Sequence, residues 1–342
     1  KVRLARVAEA RAAGKKFNHS HDWPRAAMWD APDVPDDELQ EGEIAARAVA
    51  LLRERAQTPE RPFFLAVGFL KPHTPYVAPK RYWDLYDRAA LRLPANQFPP
   101  QYAPPWAVPV GLGMGGFANA PQGAPDDELK RTLLHAYLAS ISYMDASAGR
   151  VLAALDELGL ARNTVVAVLG DHGYQMGEHG SWNQKHCNFE TATRVPLLVR
   201  APGMAAAGSS TGALVELVDL YPTLAGLAGI DAPASLEGTS FRPLLAQPQR
   251  PWKTAAFSEM PRAGKLGRAI RTERHRYVEW TDAGGAVVAR ELYDHATDPS
   301  ENQNLAGQAA NGETVATLAR QLRAGWRAAR PARLTSSPPP KS

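Results

Sequence analysis

Helical and extended hydrophobic periodicities alternate along the chain. After an irregular stretch to about Asp37, rich in Pro, Asp and His, Ile44, Ala48, Leu51 and Leu52 share one face, predicting a helix capped by Asp36 or Asp37. Pro62-Phe63-Phe64-Leu65-Ala66-Val67 is a continuous apolar run, predicted as a buried strand ending at Lys71-Pro72-His73-Thr74-Pro75. Residues 94–125 are dense in Pro and Gly and read as a long surface excursion. From Asp126, Leu129, Leu133, Tyr137, Ile141, Met144, Val151 and Leu155 recur every three to four residues, so a long helix is predicted across Gly149. Thr164–Leu169 reads as a second buried strand, closed by Gly170-Asp171-His172-Gly173. Val195–Arg200 reads as a third, followed by the turn Ala201-Pro202-Gly203 and then loop and helix over Leu214–Gly229. Short apolar strands alternating with helices imply an α/β fold, a largely parallel sheet flanked by helices.

The pattern changes near Ala246–Pro251. Tyr277-Val278-Glu279-Trp280, a turn at Gly284-Gly285, and Val287–Tyr293 predict an antiparallel hairpin, followed by an amphipathic helix over Glu313–Arg327 and a disordered Pro-rich tail. The expected division is a main α/β domain over 1–248, a small C-terminal α+β subdomain over 249–330, and a tail over 331–342. No internal repeat is present.

Composition narrows the chemistry. The 342 residues suffice for one large core and a smaller second unit, and 44% apolar with 22% charged residues is ordinary for a globular protein. No apolar run approaches the roughly 20 residues a membrane span needs. A net charge of +4 and a pI near 9.1 mildly favour an anionic partner. The basic residues are scattered without interleaved aromatics, which argues against a nucleic-acid partner. The lone Cys187 excludes an internal disulfide and is predicted as a small buried residue with no activating dyad beside it. Asn18-His19-Ser20 matches a glycosylation acceptor, a pattern short enough to arise by chance.

Ligands of parallel sheets collect at the carboxyl ends of the strands. Lys71 with His73, and Asp171 with His172, lie at such ends, and the glycine-punctuated loop Gly177-Glu178-His179-Gly180-Ser181-Trp182-Asn183-Gln184-Lys185 follows closely. Asp171 offers a hard oxygen suited to Ca²⁺ or Mg²⁺, and His172 a nitrogen ligand or an anion contact. The bland alternative is an Asp that caps a turn beside a packed His. His73, hemmed by Pro72 and Thr74-Pro75, can bind an anion or protonate a leaving oxygen. Lys185 can meet a sulfate or phosphate ester. These residues point to metal-assisted chemistry on an anionic ester, with sulfate and phosphate not separated.

Taken together, these segments resemble the sulfatase branch of the alkaline phosphatase superfamily, most closely its iduronate-2-sulfatase type. The run from Pro62 to His73 is similar to the family's strand and Lys-Pro-His turn. Gly170-Asp171-His172-Gly173 with Gly177-Glu178-His179-Gly180 and Lys185 resembles its central motif. Val215–Ala225 and Glu291-Leu292-Tyr293-Asp294 with Asp298-Pro299 resemble its later signatures. The resemblance implies an alkaline-phosphatase-like fold and a sulfuric ester hydrolase acting on a sulfated small molecule or glycan, in a periplasmic, lysosomal-like or secreted setting. It implies catalytic roles for His73 and Lys185, metal ligation by Asp171 and His172, and a substrate cleft lined by Lys71 and His179. His179 and Trp182 have the alternative of shaping their loop, and Asp219 that of an N-cap ahead of Pro222.

The family also uses a Cys/Ser-x-Pro-x-Arg motif, oxidised to formylglycine, and an Asp-Asp pair that completes a calcium site. The Cys/Ser-x-Pro-x-Arg motif does not occur in the 342 residues, and no Asp-Asp pair directly follows a predicted strand. The expectation is that both belong to an N-terminal segment outside this sequence, and that this chain alone is inactive and inclined to associate. A phosphodiesterase or phosphonate hydrolase on the same scaffold, and an inactive truncated form, are the alternatives.

Overall fold

The computed structural model describes residues 27–113, 117, 119 and 125–332. The Asn18 acceptor, part of the 94–125 excursion and the tail from residue 333 lie outside the described residues. The chain divides into two compact units, one built from parts of 1–48, 65–92 and 114–150, the other from 49–64, 93–113 and 151 onward.

In the first unit, β1 (Trp29–Asp30) pairs in parallel with β2 (Tyr76–Val77), and the short helix α2 (Lys80–Trp83) follows β2. Two long helices, α1 (Gln40–Ala56) and α3 (Asp127–Glu157), begin here and run on past its boundary. The Asp126 carboxylate accepts the Leu129 amide at 2.8 Å and so caps α3. Leu133, Ala136, Ser140, Tyr143 and Ser147 of α3 are all buried; of the face expected from the sequence, Leu133 and Leu155 are buried, while Tyr137, Ile141, Met144 and Val151 are half-buried. The Tyr143 hydroxyl donates to the Asp36 carbonyl and accepts from the Gly42 amide, each at 2.8 Å. The expected cap of α1 is corrected. The Asp36 carboxylate is taken by the Tyr82 hydroxyl and Arg81, and that of Asp37 by Arg150, after a 3₁₀ turn at Asp36–Glu38.

The second unit holds most of the strands. β3 (Gly111–Leu112) pairs in parallel with β6 (Ser181–Gln184), which pairs antiparallel with β5 (Gln175–Met176). β4 (Val166–Leu169) and β7 (Leu197–Arg200) form a separate antiparallel pair. The short helix α4 (Glu190–Thr193) lies between β6 and β7 in sequence; α5 (Leu220–Leu227) and α6 (Arg242–Ala246) follow. Strands β8 (Ala256–Arg262), β9 (Lys265–Arg271), β10 (His275–Thr281) and β11 (Val287–Asp294) make an antiparallel sheet in the order β11-β10-β9-β8. The helix α7 (Gly312–Ala328) follows. The fold is thus mixed α/β with a C-terminal antiparallel sheet.

Several local expectations change: β4 and β7, expected as buried strands, expose Val168, Leu169 and Leu198 at 42%, 39% and 61%. Pro62–Val67 is not part of a ladder among the described residues: its side chains alternate between half-buried and exposed, Phe64 reaching 85% exposure. A strand is defined by a neighbour that takes its hydrogen bonds, and apolar composition alone does not supply one. The hairpin is half of a larger sheet, because Ala263 and Gly264 (φ 50° and 69°) close a second tight turn between β8 and β9.

The C-terminal sheet is buried on both faces. On one, Leu318 and Ala319 of α7 pack with Ala255, Ile270, Tyr277 and Leu292. On the other, Ala269, Val278 and Trp280 meet Trp106 and Ala289. Tyr293 joins Ala107, Val108, Cys187, Phe189 and Ala192 in a further cluster. At about 1.5–3 kcal/mol per large buried side chain, this packing anchors the sheet firmly to the loop that carries Lys185.

Candidate active site

β4 delivers Asp171 to its position. After the strand, the Gly170 amide bonds the Pro196 carbonyl at 3.2 Å and the Gly173 amide the Ala192 carbonyl at 2.8 Å, so the turn is held at both ends. Gly173 is required by space: a Cβ there would lie 2.0 Å from the Thr191 carbonyl oxygen. The His172 amide donates to Asp171 Oδ1 at 3.0 Å. The His172 Nδ1 lies 2.8 Å from the Gly173 carbonyl, which can only accept, so Nδ1 carries a proton. In the neutral ring, Nε2 then presents a lone pair 3.5 Å from Asp171 Oδ2. Water, a proton or a cation can satisfy two acceptors that face each other in this way. The Asp171 side chain is 88% exposed and open to one.

β6 carries the chain to Lys185 through a loop whose turn is closed by the Cys187 amide on the Lys185 carbonyl at 2.9 Å. Burial lowers the His186 imidazole below its ordinary range, and Lys185, Arg262 and His172 press in the same direction. His186 thus has basic surroundings, to which Lys185, Arg262 and His172 contribute. Arg262 ends β8, and its part in these surroundings had no sequence motif to announce it.

His179 stands apart. It is 1% exposed, at φ 56°, with its ring 4.5 Å from that of Phe189, and its amide bonds the Asn96 carbonyl at 2.7 Å. Burial lowers its pKa. With no open face, it fits the loop-shaping role and not substrate contact. Glu178 serves the same loop, accepting the Met176 amide at 2.7 Å.

Lys71 and His73 belong to the first unit. Lys71 Nζ donates to the Pro75 carbonyl at 2.7 Å, closing the Lys-Pro-His turn over itself. Burial lowers its pKa, while Glu41 opposes that shift. His73 is exposed, and its Nδ1 lies 2.8 Å from the Thr74 carbonyl, so this ring also carries its proton on Nδ1.

Asp171 and His172 suit a divalent cation as part of a ligand set, since Ca²⁺ takes about six to eight ligands, mostly oxygen. A second cluster, Glu190, His295 and Glu301, also brings ligand atoms within 4.8 Å of one another. Its carboxylates are already engaged: Arg276 bonds Glu301 and Glu190 at 2.5 Å each, and His295 bonds Glu301 at 2.8 Å. The guanidinium holds Glu301 down at about 2 despite its burial. This cluster is an ion-pair lock, whereas the Asp171 carboxylate is open.

The family model described as sulfatase matches residues 11–230, more than half of the chain. The chain belongs to the sulfatase family. A second model, the C-terminal region of N-sulphoglucosamine sulphohydrolase, matches residues 177–327 of this sulfatase chain. Iduronate 2-sulfatase of Mus musculus is 31% identical, over 84% of this chain and 66% of the relative, so the chain spans just under two thirds of that relative's length. Among solved structures, a phosphonate monoester hydrolase of Agrobacterium radiobacter is 25% identical with a TM-score of 0.74, over 95% of this chain and 68% of that one. A protein solved with its substrate D-glucosamine-2-N,6-O-disulfate shares the fold, at 21% identity and a TM-score of 0.70, over 84% of this chain and 69% of that one. The fold class is that of the alkaline-phosphatase-like sulfatases.

The sulfatase signature around Asp219 has a structural reading. Asp219 is 0% exposed and accepts from Lys253 at 2.7 and 2.8 Å, from the Thr239 amide at 2.6 Å and from the Glu216 amide at 2.9 Å. Its side chain thus closes a capping box on the turn before α5, and does not cap α5 itself. The buried partner Lys253 was invisible in the sequence, 34 positions away.

Proposed function

We propose that the protein carrying this chain hydrolyses a sulfate ester on a carbohydrate. The observation that carries this reading is the facing pair of acceptors, Asp171 Oδ2 and His172 Nε2, 3.5 Å apart, together with the basic surroundings of His186, to which Lys185 and Arg262 contribute. Asp171 and His172 are two ligands of a divalent cation, taken to be Ca²⁺, which when bound withdraws charge from the ester's oxygens. Lys185 stabilises charge on the sulfate and the departing oxygen, as a preorganised donor does. The roles of His73 in meeting the sulfate or protonating the leaving group, and of Lys71 in lining the cleft, rest on the family pattern and on the fixed geometry of their turn.

The test uses the whole protein, with sulfate release from a sulfated sugar as the readout. Lys185→Ala and Asp171→Asn each should lower turnover by about 10²–10³, the cost of one lost preorganised electrostatic contact. Turnover at the parent level in both variants refutes the assignment. A second reading, hydrolysis of a phosphonate or phosphate ester by the same residues, is favoured by the similarity to the Agrobacterium radiobacter hydrolase. Matched sulfate and phosphonate esters decide between the two by their kcat/KM ratio.

A further inference from the structure

Lys185 stands just past an irregularity in β6. In a regular antiparallel ladder, each step along one strand is matched by one step back along the other. Here Gln175 of β5 faces Gln184, yet the next residue, Met176, faces Trp182. Asn183 is therefore an extra residue, a β-bulge, two positions ahead of Lys185. Its φ of 56° lies in the left-handed region, which Gly and Asn enter readily and β-branched residues do not. Ser181, Trp182 and Asn183 are buried in succession, where a half-buried strand would alternate. The bulge is not needed to reverse the chain. The turn between β5 and β6 is already closed by the Gly180 amide on the Gly177 carbonyl at 3.0 Å and the Gly177 amide on the Ser181 carbonyl at 2.9 Å.

The chain is held on both sides of Asn183. Before it, the Trp182 indole lies so close to Gly177 that a Cβ there would come within 2.6 Å of the ring, and the Trp182 carbonyl accepts from the Gly113 amide at 3.0 Å. After it, the Gln184 side chain fills the space that a Cβ on Gly113 would need. Beyond Lys185, the Cys187 amide returns to the Lys185 carbonyl at 2.9 Å, and the Cys187 thiol donates to Gln175 Oε1 at 3.5 Å. A strand advances about 3.3 Å per residue and changes face at each step. Without the extra residue, Lys185 is carried one step along the ladder or onto its opposite face.

We infer that Asn183 is the positioning residue for Lys185: the left-handed bulge at this residue sets where the ammonium group stands. Asn183 acts through the backbone, and any Lys185 held by a regular ladder stands elsewhere. The consequence for turnover rests on the catalytic reading of Lys185, but the placement can be measured without turnover.

The test compares, in the whole protein, Asn183→Gly, which keeps the left-handed backbone, with Asn183→Val, which opposes it, and with deletion of Asn183. The rate at which acetic anhydride acetylates Lys185, read by mass spectrometry against the other lysines, should change by about threefold or more in the Val and deletion variants, because its surroundings set a lysine's reactivity. It should stay at the parent value in the Gly variant. Sulfate release should fall by about 10²-fold in Asn183→Val with KM little changed, the effect of a misplacement of about 1 Å, and stay near the parent level in Asn183→Gly. In a Lys185→Ala background the Val substitution should add nothing further. Thermal melting separates lost positioning from lost folding, and the Gly and Val variants suffice if the deletion unfolds. An unchanged Lys185 rate in the folded Val variant, an equal change in the Gly variant, or a Val effect that adds in full to that of Lys185→Ala overturns the inference. Parent turnover in Lys185→Ala alone refutes the catalytic reading, and the acetylation rates then decide the placement by themselves.

Discussion

Replacing Glu291 by Gln should make the protein more stable at pH 8 and leave it nearly unchanged at pH 5. Glu291 is 2% exposed on β11, an outer strand of the C-terminal sheet, with Trp280 Nε1 and the Tyr293 hydroxyl each 2.5 Å from its carboxyl oxygens. Burial is the dominant influence and pushes its pKa up to about 7 from an ordinary 4.5, although both hydrogen bonds pull it down. The folded state therefore holds a proton that the unfolded chain releases between pH 4.5 and 7, so stability falls as pH rises through that window and is flat above it. At roughly 1.4 kcal/mol per pKa unit, the full effect is about 3 kcal/mol.

Gln reproduces the neutral acid: its carbonyl oxygen accepts from Trp280 and its amide donates to the Tyr293 oxygen. It carries no titrating proton, so the pH slope belonging to this site disappears. Urea unfolding of parent and variant at pH 5, 6, 7 and 8, followed by tryptophan fluorescence, gives the difference directly. A gap that opens with pH towards about 3 kcal/mol supports the reasoning. A gap independent of pH shows that Glu291 does not titrate in this range, and a loss at pH 8 shows that its carboxylate form is the stable one.

Lys253→Met should cost about 3–5 kcal/mol, because it strands the buried carboxylates of Glu216 and Asp219; denaturant midpoints check it, and a loss below about 1 kcal/mol contradicts the buried pairing. Gly173→Ala should cost about 1–3 kcal/mol by forcing the Asp171–His172 turn away from Thr191, and should weaken Ca²⁺ binding measured by calorimetry; wild-type affinity in the variant argues against Asp171 as a ligand. The Cys187 thiol, 2% exposed and pushed up to about 12 by burial, should react with iodoacetamide only after denaturant is added. Alkylation of the native protein at the rate of a free thiol would contradict that burial.

The long helix was legible because apolar residues repeat at three and four residues, but its buried face runs through Leu133, Ala136, Ser140 and Tyr143, beside the Tyr137, Ile141 and Met144 that the apolar pattern selected. The strand ends at Leu169 and Arg200 were legible for a similar reason, and Gly170 marks where Asp171 begins its turn. Strands β8 and β9 escaped notice because charged residues such as Glu259 and Arg268 interrupt their apolar pattern, and these two pair across the ladder at 2.8 Å. Pairing partners and ladder direction are long-range properties, so neither the antiparallel match of β4 with β7 nor the lack of a ladder for Pro62–Val67 among the described residues could be read locally. Of the candidate site, Asp171, His172 and Lys185 were visible through motif spacing. Arg262 was not, since its relation to Lys185 depends on how β8 is placed. His179 looked chemical in a glycine-rich loop, and only its burial against Phe189 shows its packing role.

Arg276 has a consequence for how such proteins can be recombined. It sits on β10, yet the two carboxylates that neutralise it come from α4, beside the loop bearing Lys185, and from Glu301, beyond β11. A chimera joined near residue 249 would import an arginine from one parent and the acid at position 190 from the other. Unless both parents carry the same pair, the buried Arg276 keeps Glu301, which travels with it, and loses its second carboxylate at position 190. The C-terminal sheet is therefore inherited together with the segment around Lys185, and grafting experiments should place their junction upstream of Glu190.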